Sequence, residues 1–185
     1  SPKIIFLLLF SLTVFGCAKE VKKNSLQEQG FNGPVKSVRV LAFDLIERNG
    51  ELIQGDTLSS DNLLILFDEA GNEQERVIFG SDQEPVYTYY SEYDEAGRKI
   101  AQKCIDTEGN VLETQTFVYN SNGYRTEEFF VDMIGIKTKY DNHYDNKGNL
   151  EEIKISDDTG KLIYSIYFTY EKNQIVGQRV VIFSR

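Results

Sequence analysis

The sequence predicts an all-β chain, an antiparallel β-meander of about ten strands built from two-strand repeats of 26 residues. The meander lies as a curved open sheet or closes as an up-and-down barrel. Three observations predict it. First, a block of the form aromatic–Asp–x–x–Gly–Asn recurs at Phe67, Tyr93, Tyr119, Tyr144 and, in degenerate form, Tyr170, with aromatic positions stepping by 26, 26, 25 and 26 residues. Second, a weaker turn falls between consecutive blocks, at Asp106–Asn110, Asp132–Gly135 and Asp157–Lys161. Third, the runs between turns are short and rich in Val, Ile, Thr, Tyr and Phe, and no segment after residue 33 carries a sustained 3.6-residue apolar period.

Each element follows from turn chemistry. Asp and Asn accept hydrogen bonds from backbone just ahead of them and Gly accepts positive φ, so D-x-x-G-N between two β runs is a hairpin signal. Links this short join antiparallel neighbours, because a parallel crossover needs a dozen or more residues. Ahead of the periodic region, Val35–Phe43 reads as a strand, Asn49-Gly50 as a hairpin turn and Glu51–Gln54 as the start of the return strand, which makes a first hairpin of the sheet. A polar insertion, Gly55–Asn62, then breaks the register before a strand over Leu63–Phe67. Atypical end units cap repeat stacks, and loops of this kind carry binding more often than tight turns do.

The block resembles the YD repeats of RHS-type bacterial proteins and, equally, of the short YD-repeat lipoproteins of Bacteroidetes. The resemblance covers residues 62–171, with four good copies and one poor one. Long arrays in that family enclose a toxin in a hollow shell. Five repeats are too few for such a shell, so the encapsulating role is not expected here.

The first residues point to export. Lys3 precedes the apolar run Ile4–Phe15, too short to span a bilayer and suited to a secretory signal, so residues 1–16 read as a lipoprotein signal peptide. Val14-Phe15-Gly16-Cys17 resembles a bacterial lipobox, which makes Cys17 the lipid-attachment residue; Phe15 departs from the small residue preferred there. Acyl chains contribute about 0.8 kcal/mol per buried CH₂, so several chains together tether a protein stably. Unmodified, Cys17 could instead pair with Cys104; lipidation leaves Cys104 a lone thiol, expected as a small buried hydrophobe on its strand. Residues 17–33 are polar and uneven and read as a flexible tether, leaving 34–185 as the sheet domain.

Loss of residues 1–16, whose one charged residue is Lys3, takes the formal net charge from −9 to −10. That acidity excludes nucleic acid as a partner and disfavours docking on anionic lipid heads. No cofactor is expected, and no metal. His143 has no nearby Cys or second His at ligand spacing. Asp94, Asp106, Asp132, Asp145 and Asp157 suggest calcium at first, but Asp141-x-His143-x-Asp145-x-Lys147 sets histidine and lysine where oxygen ligands are needed, and turn chemistry accounts for the aspartates. Nucleophile elbows and phosphate-cradling loops are absent, so the chain is read as no enzyme.

Phe67, Tyr93, Tyr119, Tyr144 and Tyr170 occupy one equivalent position in each repeat and form a row across the sheet. That row is a packing ladder or a platform for stacking sugars. Tyr87, Tyr89 and Tyr90 put rings on both faces of one strand, so at least one of them is expected to be partly exposed. The last run, residues 175–183, has Arg179 as its one charge; as an edge it either closes onto Val35–Phe43 or pairs with a partner's strand. Charges on both strand faces, such as Glu127, Glu128, Glu152 and Lys154, disfavour a lipid-facing barrel. Two functions follow as expectations: a lipid-anchored module of the bacterial cell envelope, outer membrane by preference, that binds a protein or glycan; or a structural accessory subunit of an envelope assembly.

Overall fold

A computed structural model describes residues 23–58, 62–172 and 174–183. The described chain is nearly all β. Its one helix is α1, Ser25–Glu28. The strands are β1 (Ser37–Val40), β2 (Phe43–Arg48), β3 (Glu51–Thr57), β4 (Leu63–Phe67), β5 (Glu73–Phe79), β6 (Pro85–Tyr93) and β7 (Lys99–Asp106). They continue with β8 (Val111–Tyr119), β9 (Arg125–Asp132), β10 (Lys137–Tyr144), β11 (Leu150–Asp157), β12 (Leu162–Glu171) and β13 (Gln174–Ile182).

Eleven strands form one antiparallel sheet in the order β1-β4-β5-β6-β7-β8-β9-β10-β11-β12-β13, while β2 and β3 form a separate two-stranded sheet. From β4 onward the sheet is the meander expected from the repeats. It is open: among the described residues β1 pairs only with β4 and β13 only with β12, so the barrel alternative does not hold. No described helix is long and apolar enough to cross a membrane, which says nothing of strands.

Both turn classes use one device. At Asp68 the backbone N–H donates to Asn72 O (2.9 Å) and the Gly71 N–H returns to Asp68 O (3.0 Å); the same pair of bonds recurs at Asp94, Asp106, Asn120, Asp132, Asp145 and Asp157. The turn glycines have positive φ, as in a type I turn closed by a left-handed residue. A register shift then falls beside every repeat aromatic, at Leu66/Phe67, Glu92/Tyr93, Val118/Tyr119, His143/Tyr144 and Thr169/Tyr170. The extra residue on the opposing strand is Gln74, Ile100, Thr126, Glu151 or Val176, so the bulge is as periodic as the aromatic.

Two expectations need correction. The strand at Val35–Phe43 does not hairpin into the main sheet with Glu51–Gln54. β1 pairs directly with β4 (Val38↔Ile65, Val40↔Leu63), and β2 pairs with β3 in an arm of its own, β3 running through part of the supposed insertion. The physical reason lies at the arm's base. The buried Asn62 side chain accepts from the Ala42 N–H (2.8 Å) and donates to the Leu58 carbonyl, clamping both ends of the arm so that β4 is left free to take β1.

The second correction concerns the tether expected over 17–33. Its described part, from residue 23, is docked rather than free. Asn24 caps α1 by accepting from the Gln27 N–H (3.0 Å), and Gln27 Oε1 accepts in return from the Asn24 N–H (3.2 Å). Leu26 is 5% exposed and forms a cluster with Ile65 and Phe67, flanked by Phe31, Val35, Val38 and Leu63. Burying a leucine this way contributes roughly 1.5–3 kcal/mol, which outweighs the polar composition of the segment. Beyond this cluster the buried apolar residues Phe79, Cys104 and Ile155 are spread along the sheet.

Candidate functional site

The repeat aromatics lie on one sheet face and are tied to the unit before. Tyr93 Oη donates to Glu73 O (2.9 Å), Tyr119 to Lys99 O (2.8 Å), Tyr144 to Arg125 O (2.9 Å) and Tyr170 to Leu150 O (3.0 Å). Each acceptor stands two residues beyond the previous repeat's turn glycine. Phe67, without a hydroxyl and without a preceding repeat, packs on Leu26 instead. Burial raises the phenol pKa values of Tyr93, Tyr119, Tyr144 and Tyr170 and keeps these donors protonated.

The residue just after the turn glycine fills the neighbouring space. Arg98 lies over the Tyr119 ring at 4.9 Å, and Tyr124 stacks on Tyr144 with ring centroids 4.9 Å apart. At the first turn the occupant comes from outside the repeats: Asn24 donates to Ala70 O (2.6 Å) and the Leu26 N–H donates to Gly71 O (2.9 Å). At the last turn Asn149 folds back onto Asp145 (2.9 Å) and leaves an open cleft of about 340 Å³ lined by Lys147, Glu151, Phe168, Tyr170 and Lys172. Sequence reasoning singled out the aromatics but missed their partners, which differ from one repeat to the next; the Asn24-x-x-Gln27 capping box was the one legible signal of the docked N-terminal turn.

The turn aspartates are engaged with their own backbone. Asp145 Oδ1 accepts from the N–H groups of Lys147 and Asn149, both at 2.8 Å, and Asp132 Oδ1 accepts from Ile134 (3.0 Å) and Ile136 (2.9 Å). The Asn149 amide holds Asp145 below the ordinary carboxylate range, as Asn110 does for Asp106, the Arg98 N–H for Asp94 and the Thr159 hydroxyl for Asp157. Among the described residues no three His, Cys, Asp or Glu side chains converge as metal ligands. His143 is exposed, opposite Glu152.

Cys104 is 3% exposed and lies between Tyr89 and Glu113 across neighbouring strands, the buried thiol expected from sequence. Burial raises the pKa of all three side chains. Cys17 lies outside the described residues. Tyr90 is 39% exposed, meeting the expectation for its strand. Two larger apolar surfaces are uncovered. On the β2–β3 arm, Leu45 and Leu52 share one face and are each 70% exposed. On β13, Val176, Val180 and Ile182 are 53%, 51% and 74% exposed.

No protein-family profile and no curated protein matches the chain. Among solved structures, the chain is similar to the crystal structure of a porin-like protein from Bacteroides uniformis, with 19% sequence identity and a TM-score of 0.45; the match covers 80% of this chain and 56% of that one.

Proposed function

We propose that the chain is a lipid-anchored binding module of a bacterial cell envelope, without enzymatic activity, tethered through Cys17 and presenting its sheet and the β2–β3 arm to a protein or glycan. The observation that carries this reading is the arm. A two-stranded hairpin is marginal by itself in water, and this one has Leu45 and Leu52 open to solvent on one face while its base is fixed by Asn62. Bare apolar side chains along the shaft of an arm fixed at its base suit a docking element. The repeat aromatics support the sheet in this reading, since their hydroxyls are spent on backbone carbonyls; any sugar contact falls to the open cleft beside Phe168 and Tyr170.

Envelope attachment rests on the leader and lipobox-like pattern of residues 1–17. Two experiments test the reading. Cys17→Ala is expected to leave the chain unprocessed or released from membranes, and unchanged membrane fractionation counts against the anchor. A photo-crosslinking residue at Leu52 in intact cells is expected to trap a discrete partner, and Leu45→Lys is expected to abolish that adduct without altering the circular dichroism. An arm that crosslinks to nothing overturns the binding surface. The second reading, an accessory subunit that contributes strands to a larger assembly, is favoured by the open edge at β13.

A further inference from the structure

The backbone along β13 has one described neighbour, β12. The Phe183 N–H donates to Ile163 O at 2.9 Å, and the register runs Tyr164↔Ile182, Ser165↔Val181, Ile166↔Val180, Tyr167↔Arg179, Phe168↔Gln178. In an antiparallel ladder successive residues turn their N–H and C=O to alternate sides, so Gly177, Arg179, Val181 and Phe183 bond toward β12. The N–H and C=O groups of Gln178, Val180 and Ile182 therefore point out of the sheet. Residues 174–183 include no Asp or Glu in a chain of net charge −9, and their one charge, Arg179, lies over the Tyr167 ring at 4.5 Å.

We propose that β13 pairs antiparallel with β13 of a second copy, about a two-fold axis through Val180. This register uses the regular run from Gly177 to Phe183 and stops short of the bulge at Val176. It sets Val180 opposite Val180, Gln178 opposite Ile182, Arg179 opposite Val181, and Gly177 opposite Phe183. Every outward N–H and C=O of Gln178, Val180 and Ile182 then meets its counterpart. The Phe183 ring, 41% exposed, gains the bare backbone of Gly177, a pairing in which an aromatic covers the surface a glycine leaves open.

The register favours a second copy as the occupant, because the run from Gly177 to Phe183 is its own complement about Val180. Two chains this acidic repel over most of their surfaces, and the β13 edge lets them approach with no carboxylate on either strand. The opposite edge is poorer: β1 is only Ser37–Val40, and the clamped base of the arm follows at Ala42. The pairing is isologous and closes on itself, so it yields a dimer rather than a fibre. It depends neither on the anchor nor on what the arm binds.

The test uses the full chain, oxidised mildly in cells and analysed by mass spectrometry, which separates any disulfide at Cys17 from one at the new position. Val180→Cys is expected to crosslink to itself. Gln178→Cys alone is not, whereas Gln178→Cys and Ile182→Cys chains expressed together are expected to crosslink to each other, because paired Cα atoms lie within disulfide reach. Val180→Lys sets two like charges face to face and is expected to weaken association by roughly fivefold or more, read by sedimentation velocity in detergent, with an unchanged far-ultraviolet spectrum. A monomeric parent chain, a Val180→Cys chain that does not self-crosslink, or a crosslink at that position to a different protein would each overturn the proposal.

Discussion

The phenol of Tyr144 donates to the carbonyl of Arg125 at 2.9 Å, across the face of the sheet and back into the preceding unit. Tyr124, one residue before that acceptor, stacks against the Tyr144 ring. One aromatic therefore joins two repeats through both its edge and its face, which gives the 26-residue period a physical basis.

Tyr144→Phe isolates the hydroxyl. Removing it leaves the Arg125 carbonyl with the Asn142 side-chain amide as donor, at 3.0 Å, so the expected loss is small, about 0.5–1 kcal/mol. Tyr119→Phe has no such substitute donor at Lys99 O among the bonds observed and should cost more, about 1–1.5 kcal/mol. Denaturant melts of the two variants side by side check the order.

Gly148 and Gly109 separate backbone freedom from crowding. Both have positive φ, +86° and +88°, but a Cβ at Gly148 would overlap the Tyr124 hydroxyl, whereas one at Gly109 meets nothing within 4 Å. Gly109→Ala should cost only the left-handed penalty, about 1–2 kcal/mol. Gly148→Ala adds displacement of Tyr124 and is expected to exceed it by roughly 1 kcal/mol or more. Equal melting temperatures would show that Tyr124 swings away freely.

Leu26→Ala tests the docked N-terminal turn. A cavity among Ile65, Phe67 and Phe31 is expected to cost about 2–4 kcal/mol. Hydrogen exchange should rise at Leu26 and Phe31, whose N–H groups are bonded to Gly71 O and Leu26 O. A stability indistinguishable from the parent would return residues 23–33 to the status of a tether.

The turn aspartates contribute to stability at low pH. Asp94, Asp106, Asp145 and Asp157 titrate below their ordinary value of 3.8 in the folded chain, so the unfolded chain takes up protons first as pH falls. Their contribution is fully present above the unfolded value and is lost as pH falls through the lowered one. Glu128 acts in the opposite sense, because burial raises its pKa despite Arg125, and its penalty is present once pH exceeds the raised value. Asp145→Asn combined with Asp157→Asn should flatten the fall in melting temperature below about pH 4, and Glu128→Gln should leave that limb unchanged.

The repeat and its turns were legible because Asp, Gly and the aromatic each answer to a local rule: a carboxylate for the N–H two to four residues on, positive φ for glycine, and an apolar ring for the face. The course of β1 was not legible. Val38 and Val40 suit any strand beside them, and the choice of β4 over β3 turns on Asn62, whose side chain binds Ala42 and Leu58. Docking of α1 was hidden by composition, since one leucine among polar residues is the whole of its buried surface. At the site level the aromatic ladder was readable, but its acceptors are main-chain carbonyls, which no side-chain pattern records.

Because each tyrosine bonds back to the unit immediately before it, Tyr93 alone among them also reaching Ser25 of α1, the ladder has no master contact between its two ends. Duplication of one unit within it would supply a new phenol with an acceptor already in place, and deletion would bring the flanking pair into the same relation. Length in such a chain is therefore an adjustable dimension, open to change by whole units without redesign of the remainder.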